Sequence, residues 1–257
     1  MQRYFVKENI TDQEFFLPPE IFHHAIDVMR DKVGDRFEII GPDRQVQVVK
    51  LLSIDHSHAK GQIIQTIVHD PELPVQTTIV CGISKGDKTE KIVQKGTELG
   101  ADRFIFYNSE RSVAQWNDKK AAKKLVRLKK ISQGAAEQSH RTVIPEVLFC
   151  QNITAVFKET WQADHQVVAY EESAKQGETS QLARILQVFR KESKKQQNGE
   201  TLALSAFFGP EGGFSPKEIK FFKQQNVSAV GLGPRIMRAE TAPLYLLAAL
   251  SFVLELE

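Results

Sequence analysis

The chain has 257 residues, 41% hydrophobic and 26% charged, with a formal net charge of only +2. This is globular composition, enough for one large domain or two moderate ones, and it excludes a polycation: any nucleic-acid face must come from segregated charge. Its two cysteines, Cys81 and Cys150, stand far apart, which excludes a disulfide framework and a cysteine zinc site and points to a reducing, cytoplasmic setting.

The N-terminus, M-Q-R-Y-F-V-K-E-N-I, lacks the apolar run and small-residue end of a signal peptide. A short helix is expected between Pro19 and Met29, with Ile21, Phe22, Ala25, Ile26 and Met29 on one stripe. Around it, Arg36–Ile40, Val46–Leu52 and Gln62–Val68 read as strands, punctuated by G-P-D at Gly41–Asp43. D-P-E-L-P at Asp70–Pro74 then reads as a linker. A small, mostly β barrel over residues 1–71 and a second domain over 74–257 follow from this break.

After it the rhythm changes. Thr77–Ile83 and Arg103–Tyr107 read as strands, separated by a helix from Lys88 to Leu99 that Gly100 ends. A long helix is expected over Asp118–Gln138, with further strands at Val167–Tyr170, Leu202–Phe208 and Ala229–Leu232. Arg190–Glu200 is polar, an exposed helix end and loop. The apolar run Ala242–Leu254 is shorter than the ~20 residues of a membrane span and reads as a buried last helix. The alternation predicts an α/β domain with a largely parallel sheet.

Two glycine-rich loops carry the chemistry. In A-F-F-G-P-E-G-G-F-S-P-K-E-I, Ala206–Ile219, an apolar strand runs into glycines before a helix. That helix starts with Ser215 as N-cap, Pro216 in the first turn and Glu218 completing a capping box. In open α/β sheets ligands collect at such strand ends, although glycine pairs also serve plain tight turns. Neither a P-loop nor G-x-G-x-x-G is present. In V-G-L-G-P-R-I-M-R-A-E-T-A, Val230–Ala242, Arg235, Arg238 and Glu240 stand among apolar residues, so they are either used or paired with each other. His56 and His58 form H-x-H in an expected hairpin with no third ligand in view, so no metal is expected.

Together, G-P-E-G-G-F-S-P-K-E and L-G-P-R-I-M-R-A-E-T-A near a C-terminus resemble the paired signature of the RsmE-type small-subunit (16S) ribosomal RNA uridine-N3 methyltransferases of the SPOUT superfamily. The similarity extends to M-Q-R-Y-F-V, H-H-A-I-D-V-M-R, K-G-D-K-T-E-K-I-V-Q-K-G-T-E-L-G, N-S-E-R-S and E-Q-S-H-R, and so over nearly the whole chain. The resemblance implies a PUA-like N-terminal barrel, an α/β domain closed by a trefoil knot, a homodimer, and S-adenosyl-L-methionine held by the knot loops. Carried over, the cofactor site is Phe208, Gly209, Pro210, Glu211, Gly212, Gly213, Leu232, Gly233, Ile236, Met237, Arg238, Thr241 and Ala242. Arg238 and Glu240 are the candidate catalytic pair, Glu240 having a purely structural role as its alternative. Two departures stand out: Pro243 follows E-T-A where a small residue is usual, and His140 replaces a common glycine.

Between Arg111 and Arg141 nine Lys or Arg face only Asp118 and Glu137, a net +7 that leaves −5 for the rest of the chain. This is the footprint of a phosphate-binding face, although charge runs are often only solvated helix surface. Arg111, Lys119, Lys123, Lys124, Arg127 and Arg141 are the candidate RNA contacts, extended by Arg3 and Arg30. An assembly factor would need this face without the glycine pocket, and a small-molecule enzyme the pocket without this face. Methylation of another position, such as a ribose 2′-OH, is the nearest rival.

Overall fold

A computed structural model describes residues 1–68, 70–160, 162–170, 181–193 and 201–256. Residues 194–200 of the polar stretch expected near Arg190 lie outside them. The chain divides into two compact units, Met1–Glu72 with Ala136–Val143, and Leu73–Ala135 with Ile144–Glu257. The division falls between Glu72 and Leu73, and the first unit also takes a segment from far along the chain.

In the first unit, β1 (Arg3–Phe5), β2 (Glu14–Phe16), β3 (Arg36–Ile40), β4 (Val46–Ile54) and β5 (Ala59–Ile67) form one mixed sheet in the order β1-β3-β4-β5-β2. Register shifts at Val48/Val49 and Leu51/Ser53 bulge β4 against β5, and such bulges bend a strand. The edge strands β1 and β2 have three residues each, too short for alternation to betray them. Helix α1 (Pro19–Phe22) continues to Val28 as wider π turns. The widening upsets the expected stripe: Ile21 and Ala25 are buried, whereas Met29 is exposed. The core gathers Tyr4, Leu17, Phe37, Ile39, Val49 and Leu51.

The second unit is a three-layer α/β sandwich. Its strands β6 (Val75–Gly82), β7 (Arg103–Tyr107), β8 (Glu146–Cys150), β9 (His165–Ala169), β10 (Leu202–Phe208) and β11 (Ser228–Val230) order as β11-β9-β10-β6-β7-β8. Every pairing is parallel. Alternate residues enter opposite layers: Ile79, Phe104 and Phe106 pack on one face, Val80, Ile105 and Tyr107 on the other. The first face is covered by α2 (Lys88–Glu98), α3 (Asp118–Gln138), α5 (Gln181–Ser193) and α7 (Thr241–Ser251), through residues such as Ile92, Leu128, Phe189 and Leu247. The second is covered by α4 (Ile153–Thr160) and α6 (Pro216–Gln224), through Val156 and Phe222.

Helix ends follow local chemistry. The capping box at Ser215 and Glu218 is present in both directions. Helix α6 closes with Val227 N–H on the Phe222 carbonyl and Asn226 at φ 57°, a Schellman end. Helix α3 closes in the same way: Arg141 N–H donates to the Ala136 carbonyl, and His140 takes the left-handed position at φ 57°. That conformation is why glycine is the easy residue there. Pro243 falls in the first turn of α7, where a missing N–H costs little.

The last helix departs from expectation. Pro243, Leu246, Leu247 and Leu250 are buried, but Tyr245 is 40% and Phe252 56% exposed. The apolar run thus covers two faces, one of them outward.

Candidate active site

Parallel strands place all their carboxyl ends on one edge. Phe208 of β10 pairs with Cys81 of β6, and Gly82 with Tyr107 of β7, so the loops after β10, β6 and β7 are neighbours. Close approach is built in: a β carbon on Gly82 would lie 2.6 Å from Pro210 Cδ, and one on Gly209 would lie 3.0 Å from the Gly213 carbonyl carbon. The turn at Pro210–Gly213 is closed by the Gly213 N–H on the Pro210 carbonyl, with Gly213 at φ +67°.

The loop after β7, Asn108–Ser112, is tied to the helix after the glycine turn by Glu218. This carboxylate is 3% exposed. Its Oε1 accepts the Ser109 hydroxyl at 2.8 Å and the Tyr107 hydroxyl at 3.4 Å, while Oε2 accepts the Ser215 N–H at 2.8 Å. Burial, reinforced by that carboxylate, pushes the Tyr107 phenol well above its ordinary value, so it stays a neutral donor. Arg111 donates from Nη1 to the Gly212 carbonyl at 3.3 Å, and a β carbon on Gly212 would lie 3.0 Å from the Arg111 carbonyl oxygen.

The two glycine loops meet at one cation. Glu211 Oε1 accepts the Lys85 N–H at 3.1 Å and the Lys88 ammonium at 2.8 Å. The same ammonium lies 3.5 Å from Oε2 of Glu240. Glu240 therefore pairs with Lys88, and the Arg238–Glu240 pair envisaged from sequence is not what the fold makes; Arg238 is exposed. The hydrogen bond to Glu211 raises the Lys88 ammonium above its ordinary value. Burial pushes Glu211 up, but Lys88 and backbone N–H groups outweigh it and hold the carboxyl below the usual range. A raised cation loses its contribution only as pH climbs through its folded value, and a depressed carboxyl only as pH falls through its own. The pair is therefore intact across neutral pH.

Of the expected cofactor residues, Phe208 and Pro210 are buried, and Gly209, Gly213, Leu232, Gly233, Met237 and Ala242 partly so; Glu211, Gly212, Ile236 and Thr241 are exposed. Gly233 sits at φ +94°. Sequence reasoning missed Lys88, Gly82, Ser109 and the second role of Glu218. Lys88 did stand inside the K-G-D-K-T-E-K motif, the one signal that pointed to it.

The basic face is partly as expected. Lys119, Lys123, Lys129 and Lys130 are exposed along α3. Arg127 and Lys124 instead reach Glu90 of α2, at 2.8 and 3.7 Å. Arg30 is exposed, at φ 62° past the π turns. Arg3 and Arg141 depart from expectation. Arg3, 4% exposed, gives Nε to Glu38 at 2.8 Å and Nη1 to the carbonyls of His140 and Arg141. Arg141, 3% exposed, gives Nε to Glu72 at 2.8 Å. Buried guanidiniums persist because each has a carboxylate. His56 and His58 do lie at the β4–β5 hairpin, and no group of three potential metal ligands occurs among the described residues. No helix among them is long and apolar enough to cross a membrane.

A family described as RNA methyltransferase domain matches residues 71–251. The chain is 40% identical over 260 residues to ribosomal RNA small subunit methyltransferase E of Bacillus subtilis (strain 168), covering all of this chain and 98% of that one. It is 30% identical over 248 residues to the protein of the same name from Synechocystis, covering 96% of this chain and 76% of that one. A crystal structure of ribosomal RNA small subunit methyltransferase E from Neisseria gonorrhoeae, bound to S-adenosyl methionine, superposes with a TM-score of 0.77 at 26% identity, covering 98% of both chains. With the glycine loops, the parallel sheet and the basic helix now in place, the match over most of the chain is decisive: this protein belongs to the RNA methyltransferase domain family.

Proposed function

We propose that the protein methylates N3 of a uridine in the 16S RNA of the small ribosomal subunit, using S-adenosyl-L-methionine, in the cytoplasm. The observation that carries this is the meeting of both glycine loops at Lys88, which makes one site of the two signature motifs. The names of the Bacillus and Synechocystis relatives supply the substrate class, and the Neisseria structure the cofactor. On the same resemblance we read residues 1–71 as a PUA-like barrel and 74–257 as a methyltransferase domain closed by a trefoil knot.

The residues present fit that cofactor. Ser84 Oγ, Ser112 Oγ and Glu240 Oε2 are buried without a hydrogen-bond partner, and such groups call for one. Gly82, Gly209 and Gly212 let the loops pack where β carbons would clash, and Gly213 and Gly233 face space with no atom closer than 4 Å. One ammonium and two carboxylates leave a net negative cluster, the complement of a sulfonium. S-adenosyl-L-methionine supplies an electrophilic methyl group. The loop residues Phe208–Gly213, Leu232, Gly233, Ile236–Arg238, Thr241 and Ala242 would hold it.

Uridine N3 carries a proton and is a poor nucleophile until that proton leaves. Its Watson–Crick edge must also be unpaired. Arg238, exposed ahead of α7, is placed to steady negative charge on the uracil ring, and Glu240 to take the proton directly or through water. Arg111 and the exposed lysines of α3 would orient the RNA backbone. Methylation of unmodified small subunits, mapped by mass spectrometry, tests the reading. Methyl on uridine N3 is expected; a 2′-O-methyl ribose or no transfer would overturn it. Glu240→Gln should lower kcat about 10²-fold, and full turnover would remove Glu240 from catalysis.

The outward stripe of α7, Tyr245 and Ala248, continued by Phe252 in the π turns that follow it, gives the expected homodimer its interface. Phe252→Asp is expected to shift sedimentation from dimer to monomer at micromolar concentration. A dimer of unchanged affinity would place the interface elsewhere.

A further inference from the structure

We propose that Lys88 is a positioning residue, a clamp that holds the two glycine loops in the arrangement that binds the cofactor. The proposal rests on the methyltransferase reading above. Lys88 is the first residue of α2, and Thr89, Ile92 and Val93 of that helix are buried. Its ammonium thus projects from a rigid element. It donates to Glu211 of the first loop at 2.8 Å and sits 3.5 Å from Glu240 of the second. The loops follow successive strands, β10 and β11, and this side chain, 123 positions before Glu211, touches a carboxylate of each.

Glu240 is placed for such a role. It occupies the position before α7, yet its side chain makes no capping bond to that helix. Its Oε2 has no hydrogen-bond partner, so charge attraction to Lys88 holds it at a distance that leaves room to tighten. Glu211 is anchored more firmly, by Lys88 and the Lys85 N–H together. Lys88 therefore grips one loop and draws on the other. A site whose competent arrangement is only partly populated binds more weakly by that fraction, so releasing the clamp lowers cofactor affinity without removing a cofactor contact.

The experiment compares wild type, Lys88→Met and Lys88→Arg of the full chain. Calorimetric titration with S-adenosyl-L-methionine is paired with hydrogen exchange of the cofactor-free proteins over residues 209–214 and 231–240. Expected are an affinity loss of about tenfold or more in Lys88→Met, faster exchange in both loops, an unchanged melting temperature, and recovery in Lys88→Arg to within about threefold. Glu211→Gln should add little to Lys88→Met, since both break one contact. Wild-type affinity in Lys88→Met overturns the clamp, as does equal weakening in both variants with a lower melting temperature, which marks a packing role. Should the wild type itself bind no cofactor, the proposed function falls, while exchange in the two loops still decides whether Lys88 tethers them.

Discussion

Glu72→Ala is expected to destabilise the protein by about 3–5 kcal/mol, the range for breaking a buried ion pair by removing one partner. Urea unfolding of variant and wild type reads the difference. The side chains of Glu72 and Arg141 are 10% and 4% exposed. One carboxylate oxygen takes the Arg141 guanidinium, and the other takes the Thr142 N–H at 2.8 Å and the Val143 N–H at 3.2 Å. Alanine takes the Glu72 carboxylate away from a buried guanidinium and the acceptor away from two N–H groups. Glu72→Gln keeps an acceptor but not the charge, and is expected to fall between. A loss below about 1 kcal/mol in Glu72→Ala, the scale of an exposed pair, would show that water reaches this guanidinium.

The second large effect is on activity. Gly82→Ala is expected to lower single-turnover methyl transfer about 10²-fold, because displacements near 1 Å at a reacting centre cost that much. The new β carbon would meet Pro210 Cδ at 2.6 Å, Pro210 N at 2.9 Å and Ser109 Cβ at 3.1 Å. Backbone and ring atoms cannot swing aside, so the G-P-E-G-G turn moves as a body and takes Glu211 with it. Gly86→Ala is the control. Gly86 has φ +72° with nothing within 4 Å, so alanine costs backbone strain of about 1 kcal/mol and displaces no loop. Wild-type rates in Gly82→Ala would mean that the turn is not part of the reacting site.

Periodicity made most of the second unit legible. Continuous apolar runs such as Leu202–Phe208 read as buried strands because both sheet faces are covered, and each residue finds a core whichever way it points. The start of α6 was legible for a local reason: the capping box closes within four residues. Strand β8 and helix α4 escaped notice, being short and only partly apolar. The site was legible as motifs and not as contacts. Arg3, Arg141 and Glu72 show why: two of the three were expected to face RNA and the third lay in an expected linker, yet they sit buried among carboxylates, carbonyls and N–H groups. Charge reports only that a partner is needed. Which partner is found depends on residues nearly 70 positions away.

The sequence by itself determined the parallel α/β class, the two glycine loops and the family, because each is written in local periodicity or in a contiguous motif. Only the tertiary structure decided that Lys88 joins Glu211 to Glu240, that Arg3 and Arg141 are internal, and that α7 keeps an apolar face outward. Each of these is a pairing across sequence distance or a matter of which face is covered. Such facts come into being when the strands order themselves and bring remote carboxylates within reach of one ammonium.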